Sequence, residues 1–193
     1  LSPFKESERG ADRSGCYQNC NAGKLGLTLD LGREEGRAIV RDLARWADVV
    51  VESYSMGTMA KWGLGYEDLR KINPGIIMIS STLMGQRGPY ASLAGFGNLG
   101  SAMAGTQALV GWPDKAPIGP FGPYTDYIGP RFALITLLSA LHARRTTGEG
   151  CHIDVAQAEC GLQFLAPALI DYFETGTIAR AAGNADARMA HHN

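Results

Sequence analysis

The sequence predicts an α/β fold, a parallel sheet with flanking helices. Two observations carry this. Val49-Val50-Val51 and Ile76-Ile77-Met78-Ile79 are continuous apolar, largely β-branched runs of strand length, the pattern of strands covered on both faces. Helical patterns stand before, between and after them, and strand–helix alternation of this kind defines a parallel sheet with crossovers.

Taken in order, residues 1–22 are polar and irregular. Residues 25–31 (Leu-Gly-Leu-Thr-Leu-Asp-Leu) alternate at period two and predict a strand. Residues 34–46 carry Ala38, Ile39, Leu43 and Trp46 at the offsets of one helical face. Residues 48–53 form a buried parallel strand, 57–62 a short helical turn, and 66–72 a helix stopped by Asn73-Pro74. Residues 75–81 form the next buried strand. Residues 96–108 are predicted helical despite Gly97, Gly100 and Gly105, each of which costs about 1 kcal/mol against Ala in a helix. These small residues suit close helix packing, or the approach of a ligand or another chain.

A long helix is expected over 127–145. Phe132, Ile135, Leu138 and His142 lie near one stripe, with Leu134, Leu137 and Leu141 beside it, and Pro130 falls in the first turn. Arg144-Arg145 followed by Gly148 marks its end. Residues 151–155 are extended, 156–173 form a second apolar helix, and the small polar tail from Thr175 reads as mobile.

Composition narrows the function classes. The chain has 193 residues, 45% hydrophobic and 19% charged, with a net charge of -1. That balance speaks against nucleic acid and against a polybasic membrane patch. The longest apolar stretch, 132–141, is too short to span a bilayer, and the polar start lacks a signal-peptide core. Four cysteines without a secretory signal read as free thiols in a reducing, cytoplasmic setting. Cys16 and Cys20, with Cys151 and His152 far downstream, lack the paired spacing of a structural zinc site, and His191-His192 reads as ordinary loop. No metal is expected. His142 reads as a packed or half-exposed helix residue rather than a catalyst.

In sheets of this class ligands bind beyond the carboxyl ends of the strands, which directs attention to residues 52–57 and 80–89. Asp126 is the residue of greatest interest. It follows the loop Gly119-Pro120-Phe121-Gly122-Pro123-Tyr124-Thr125 and opens the long helix. A carboxylate there faces the positive end of the helix dipole and unpaired N–H groups. The position suits a nucleophile, which could form a mixed anhydride with an activated acyl group. It suits a plain N-cap equally, and caps are the commoner use. No nucleophile-elbow serine, phosphate-binding loop or helical zinc motif is present.

The order of short motifs resembles the class III CoA-transferase (CaiB/BaiF) family, with formyl-CoA and carnitine CoA-transferases and, more distantly, α-methylacyl-CoA racemase. The motifs are Asn21-Ala22-Gly23-Lys24 through Leu29-Asp30-Leu31, and Ala47-Asp48-Val49-Val50-Val51-Glu52-Ser53-Tyr54. Gly63-Leu64-Gly65-Tyr66-Glu67-Asp68-Leu69, Ile72-Asn73-Pro74, Gly85-Gln86 and Gly88-Pro89-Tyr90 follow. Asp126, Thr147-Gly148-Glu149-Gly150, Asp154-Val155 and Gly183-Asn184 complete the series.

The resemblance implies a partial Rossmann-like large domain over 1–180. It implies the start of a linker at 181–193, and a small domain missing from this internal stretch. The first strand–helix–strand unit would precede Leu1. The resemblance further implies that Asp126 attacks an acyl-CoA thioester and passes CoA to an acceptor carboxylic acid. No cofactor is held permanently; CoA enters as acyl-CoA substrate. Leu29, Asp30, Ser53, Tyr54, Gly57, Thr58, Lys61 and Phe96 are the implied CoA positions. Ser53, Ser55 and Met56 depart from the family's Asn, Arg and Pro, and Lys61 has the alternative of a solvated lysine. Phe96 and Gly97 stand where a racemase needs an acid/base histidine, which favours the transferase over the racemase; Gly97 also lacks the glutamate that assists some transferases. A non-catalytic CoA-binding remnant is the third reading. Family members form interlocked homodimers.

Overall fold

The computed structural model describes residues 3–186. The His191-His192 pair and the last seven residues of the expected linker start lie outside the described residues. The chain divides into two compact units, Leu1–Asp30 and Leu31–Asn193.

The first unit holds two short 3-10 turns and helix α1 (Gly15–Asn21), whose N-terminus is capped by the Ser14 hydroxyl accepting from Tyr17 N–H at 3.2 Å. The alternating run 25–31 is not a strand. It is irregular, with Leu25 fully exposed. Alternation specifies a strand only where a neighbouring strand takes up its backbone groups, and this run pairs with none among the described residues.

The second unit is built on three parallel strands in the order β1 (Val49–Glu52), β2 (Ile77–Thr82), β3 (His152–Ala156). Register pairs Val49 with Ile77, and Met78 with His152, so Glu52, Ser80 and Asp154 stand in one row. Side chains two apart share a face. One face carries Val50 and Met78 into a core with Ala44, Met59, Leu64, Leu69 and Ile76. Helix α2 (Glu34–Ala44), the single turn α3 (Thr58–Lys61) and α4 (Tyr66–Ile72) cover it. The other face carries Ile79, Val155, Val49 and Ile153 against Ile128, Phe132, Leu137 and Cys160.

On α2 the buried positions are Gly36 and Ala44, with Val40 half-buried between them. Ile39 and Trp46, expected on the inner face, are exposed. The face rotates because Gly36 and Ala44 allow closer approach than Ile39 and Trp46 would. Asn73 closes α4: its Nδ2 donates to Ala44 O (3.1 Å) and Ala47 O (3.0 Å), and its Oδ1 accepts from Gly75 N–H (3.1 Å). That explains why Asn73-Pro74 stops the helix and turns the chain into β2.

The expected helix over 96–108 is two: α5 (Gly97–Met103) and α6 (Thr106–Leu109). Gly105 between them has φ 86°, a left-handed conformation that interrupts the helix. Helix α7 runs over Tyr124–Thr147, three residues longer at its start than expected. Pro130 is therefore in the second turn, where its missing N–H leaves the Asp126 carbonyl without an intrahelical partner. Its inward stripe is Ile128, Phe132, Ala133 and Leu137; Ile135 and Leu138, expected inward, are exposed, as are Leu134 and His142. The predicted end holds: Gly148 adopts φ 74° and its N–H donates to Arg144 O. The Arg144 guanidinium donates to Asp48 Oδ1 (2.8 Å) and Gly75 O (3.0 Å), fastening the end of α7 beside the starts of β1 and β2. The last apolar segment is also two helices, α8 (Gln157–Phe164) and α9 (Ala166–Thr175), because Pro167 cannot continue the ladder through Leu165. No described helix is long and apolar enough to cross a membrane.

Candidate functional site

The first turn of α7 positions Asp126. Pro123 is the N-cap, and no side chain caps this helix. Asp126 is the third helical residue, with its N–H donating to Pro123 O at 2.9 Å. The N-cap reading is thus replaced: the chain turns helical at Tyr124, and the Asp126 side chain is left for something other than capping. The dipole still favours its charge there.

The carboxylate is half-buried and lies directly on the start of α5. A Cβ on Gly97 would stand 2.7 Å from Asp126 Cγ and 2.8 Å from Oδ1. Next to it, Thr125 is fully buried, and its hydroxyl donates to Gly97 O at 2.9 Å. The same hydroxyl lies 3.4 Å from Gln157 Oε1, at the start of α8. One turn on, a Cβ on Gly100 would meet Thr125 Oγ1 at 2.5 Å. Gly97 and Gly100 thus let α5 pack closely on the first turn of α7, the packing reading of these glycines.

Beyond the carboxyl ends of β1 and β2 a cleft of about 290 Å³ opens, lined among others by Ser53, Tyr54, Ser81, Thr82, Phe96 and Gln157. Of its lining residues, Phe96 directly precedes Gly97, and Gln157 lies beside the Thr125 hydroxyl. The Tyr54 N–H donates to Oε2 of the buried Glu52 (2.8 Å), and the Tyr54 ring meets Trp62 edge-on at 5.1 Å. This holds the turn after β1 in a fixed form. A second cleft of about 290 Å³, lined by Glu52, Gly57, Thr58, Ser80, Gln86, Arg87 and His152, shares Ser55 with the first. Here Ser80 Oγ and His152 Nε2 are 2.9 Å apart, and the His152 ring stacks on Tyr66 at 5.6 Å. Burial pushes the Tyr66 phenol above its usual range. The Gln86 N–H donates to both Asp154 carboxylate oxygens (3.0 and 2.9 Å), anchoring the loop after β2 to β3.

Of the expected CoA positions, Ser53, Tyr54 and Phe96 line the first cleft, and Gly57 and Thr58 line the second. Lys61 is exposed at the end of α3 and lines neither. Leu29 and Asp30 belong to the first unit, half-buried and exposed respectively. Sequence reasoning missed Thr125, Gln157 and the Glu52–Tyr54 bond. Only the place of Thr125 beside Asp126 hinted at a role, because its partners are 28 and 32 residues away.

The chain is thus an α/β domain with a half-buried carboxylate near a strand-end cleft. The comparisons with known proteins are specific. The model of CoA-transferase family III matches residues 2–193, and the chain belongs to that family. It is similar to succinyl-CoA–D-citramalate CoA-transferase of Chloroflexus aurantiacus, 39% identical over 83% of this chain and 40% of that protein. It is also similar to succinate–glutarate CoA-transferase of Agrobacterium fabrum, 38% identical over 95% of this chain and 46% of that protein. A solved CaiB/BaiF family protein from Brucella suis superposes with a TM-score of 0.87 at 38% identity, over 97% of this chain and 49% of that one. The chain thus spans under half the length of these relatives.

Proposed function

We propose that the complete protein carrying this chain transfers CoA between carboxylic acids, with Asp126 as the nucleophile. The observation that carries this reading is the Asp126 carboxylate seated on Gly97 beside the cleft of Tyr54 and Phe96. Family membership adds to it.

One Asp126 oxygen attacks the thioester carbonyl of an acyl-CoA. The C–S bond breaks, leaving an aspartyl acyl anhydride and CoA thiolate. The thiolate then attacks the aspartyl carbonyl, releasing the first carboxylate and leaving an aspartyl-CoA thioester. The acceptor carboxylate attacks that thioester, reforming an anhydride with the new acyl group. Thiolate attack on the acyl carbonyl releases the new acyl-CoA and regenerates Asp126. No step consumes ATP, because the thioester broken in the donor is matched by the thioester formed in the product. The N-terminal turn of α7 favours the regenerated carboxylate.

The CoA moiety is proposed to lie along Ser53, Tyr54, Gly57, Thr58 and Phe96, with Lys61, Leu29 and Asp30 as further contacts. Phe96 and Gly97 offer no proton carrier opposite Asp126, which speaks against a racemase. By similarity to the two relatives above, short dicarboxylic acids are the proposed substrates. An interlocked homodimer, working in the cytoplasm, is the proposed form. The exposed apolar residues Leu134, Ile135 and Leu138 on α7 and Ile170 and Phe173 on α9 support a further covering partner.

The test is transfer of labelled CoA from succinyl-CoA to a second carboxylate, with wild type against Asp126→Ala in the complete protein. The variant is expected to lose about three orders of magnitude in kcat, and hydroxylamine is expected to attack the activated aspartyl carbonyl, displacing CoA and leaving a hydroxamate on wild-type Asp126. Equal transfer by both proteins would sink the proposal.

A further inference from the structure

Gly97 is not glycine for the sake of its backbone. It lies outside the left-handed region, unlike Gly105 or Gly148. Space is what excludes a side chain there. The three atoms nearest to a Cβ at this position are Asp126 Cγ (2.7 Å), Asp126 Oδ1 (2.8 Å) and Pro123 O (2.8 Å). Pro123 O cannot retreat freely, since it accepts the Asp126 N–H at 2.9 Å and caps the turn. The easy escape from a clash is rotation of the Asp126 side chain. Gly100, one turn further along α5, differs. A Cβ there meets Thr125 Oγ1 (2.5 Å) and Leu83 Cδ1 (3.0 Å), and neither is part of Asp126.

We infer that Gly97 is a positioning residue for Asp126: its bare Cα is the seat that fixes the direction of the carboxylate, and at this chain's own spacing of α5 and α7 a side chain there turns the carboxylate away. This rests on the functional reading above. Reactivity falls steeply when a nucleophile is misaimed, and an error of about 1 Å costs roughly 100-fold. A seat of this kind acts on the chemical step and leaves CoA binding to Tyr54 and its neighbours.

The experiment uses the complete protein and three variants: Gly97→Ala, Gly100→Ala and Asp126→Ala. Succinyl-CoA is the donor probe and glutarate the acceptor. Gly97→Ala is expected to slow single-turnover formation of the Asp126 adduct about 10- to 100-fold, with KM for succinyl-CoA within about threefold of wild type. Gly100→Ala is expected to lower the thermal midpoint comparably, yet slow adduct formation less than about threefold. A kcat for Gly97→Ala equal to wild type, or no lower than that of Gly100→Ala, overturns the inference.

A second measurement needs no activity. Gly97→Ala is expected to lower the thermal midpoint less in the Asp126→Ala background, where the clashing carboxyl is gone. An equal loss in both backgrounds overturns the direct contact. The two proposals fail separately. CoA transfer by Asp126→Ala sinks the functional reading, whereas an inactive Asp126→Ala beside a fully active Gly97→Ala sinks only the positioning role.

Discussion

Two glycines in the turn after α7 are required for different reasons, and alanine at each separates them. Gly148 has φ 74° and open space around it, so Gly148→Ala meets only the strain of a left-handed alanine, about 1 kcal/mol. Gly150 lies outside the left-handed region but has no room. A Cβ there would stand 1.8 Å from Ile76 O and 2.4 Å from Ile76 C. Both are backbone atoms of the segment leading into β2, so relief requires the chain to part by about 1.5 Å before ordinary contact distance is reached. That displacement breaks the bond from Gly150 N–H to Pro74 O (2.9 Å) and strains the one from Met78 N–H to Cys151 O (2.9 Å). Two bonds at about 1 kcal/mol net each, with the register of β2 against β3 disturbed, give about 2–5 kcal/mol. Urea unfolding of the complete protein measures this as a lower midpoint at unchanged slope. A Gly150→Ala loss at or below that of Gly148→Ala would refute the steric reasoning.

Two further outcomes are expected. Asp154→Ala removes the acceptor of the Gln86 N–H; because Asp154 is exposed, the loss is near 1 kcal/mol, read as roughly fivefold faster amide exchange at Gln86 with global stability little changed. Burial, and secondarily the charge of Glu159, pushes the Cys160 thiol above its ordinary value of 9.0, so the folded state holds this proton more tightly than the unfolded chain. The stability it contributes is complete below the unfolded value of 9.0 and is lost as pH rises from there through the raised value of the folded state. Cys160→Ala should flatten the fall in the urea midpoint above that pH, and Cys160 should be the last of the four thiols to react with an alkylating reagent.

Elements bounded by local chemistry were legible in the sequence. Helix α4 lies where its pattern and the Asn73-Pro74 stop put it, and β1 and β2 lie on the continuous apolar runs. Gly148 ends α7 as expected. Errors fell where a distant partner decides. Residues 25–31 alternate but pair with no strand among the described residues. Ile39 yields the inner face of α2 to Gly36 and Ala44, and Ile135 yields that of α7 to Ala133 and Leu137. The break at Pro167 was written in the chain and was outweighed by the apolar run around it.

For the candidate site the division is sharper. The sequence by itself determined that a carboxylate follows a Gly/Pro-rich loop at the start of a long helix, with the ordered motifs of CoA-transferase family III on both sides. Those are properties of neighbours along the chain. The tertiary structure alone decided that Asp126 is the third residue of its helix, that its carboxylate rests on Gly97, and that Thr125 ties α7 to α5. Such contacts depend on how closely two helices approach. That distance is set by the smallest side chains at their crossing, here Gly97 and Gly100.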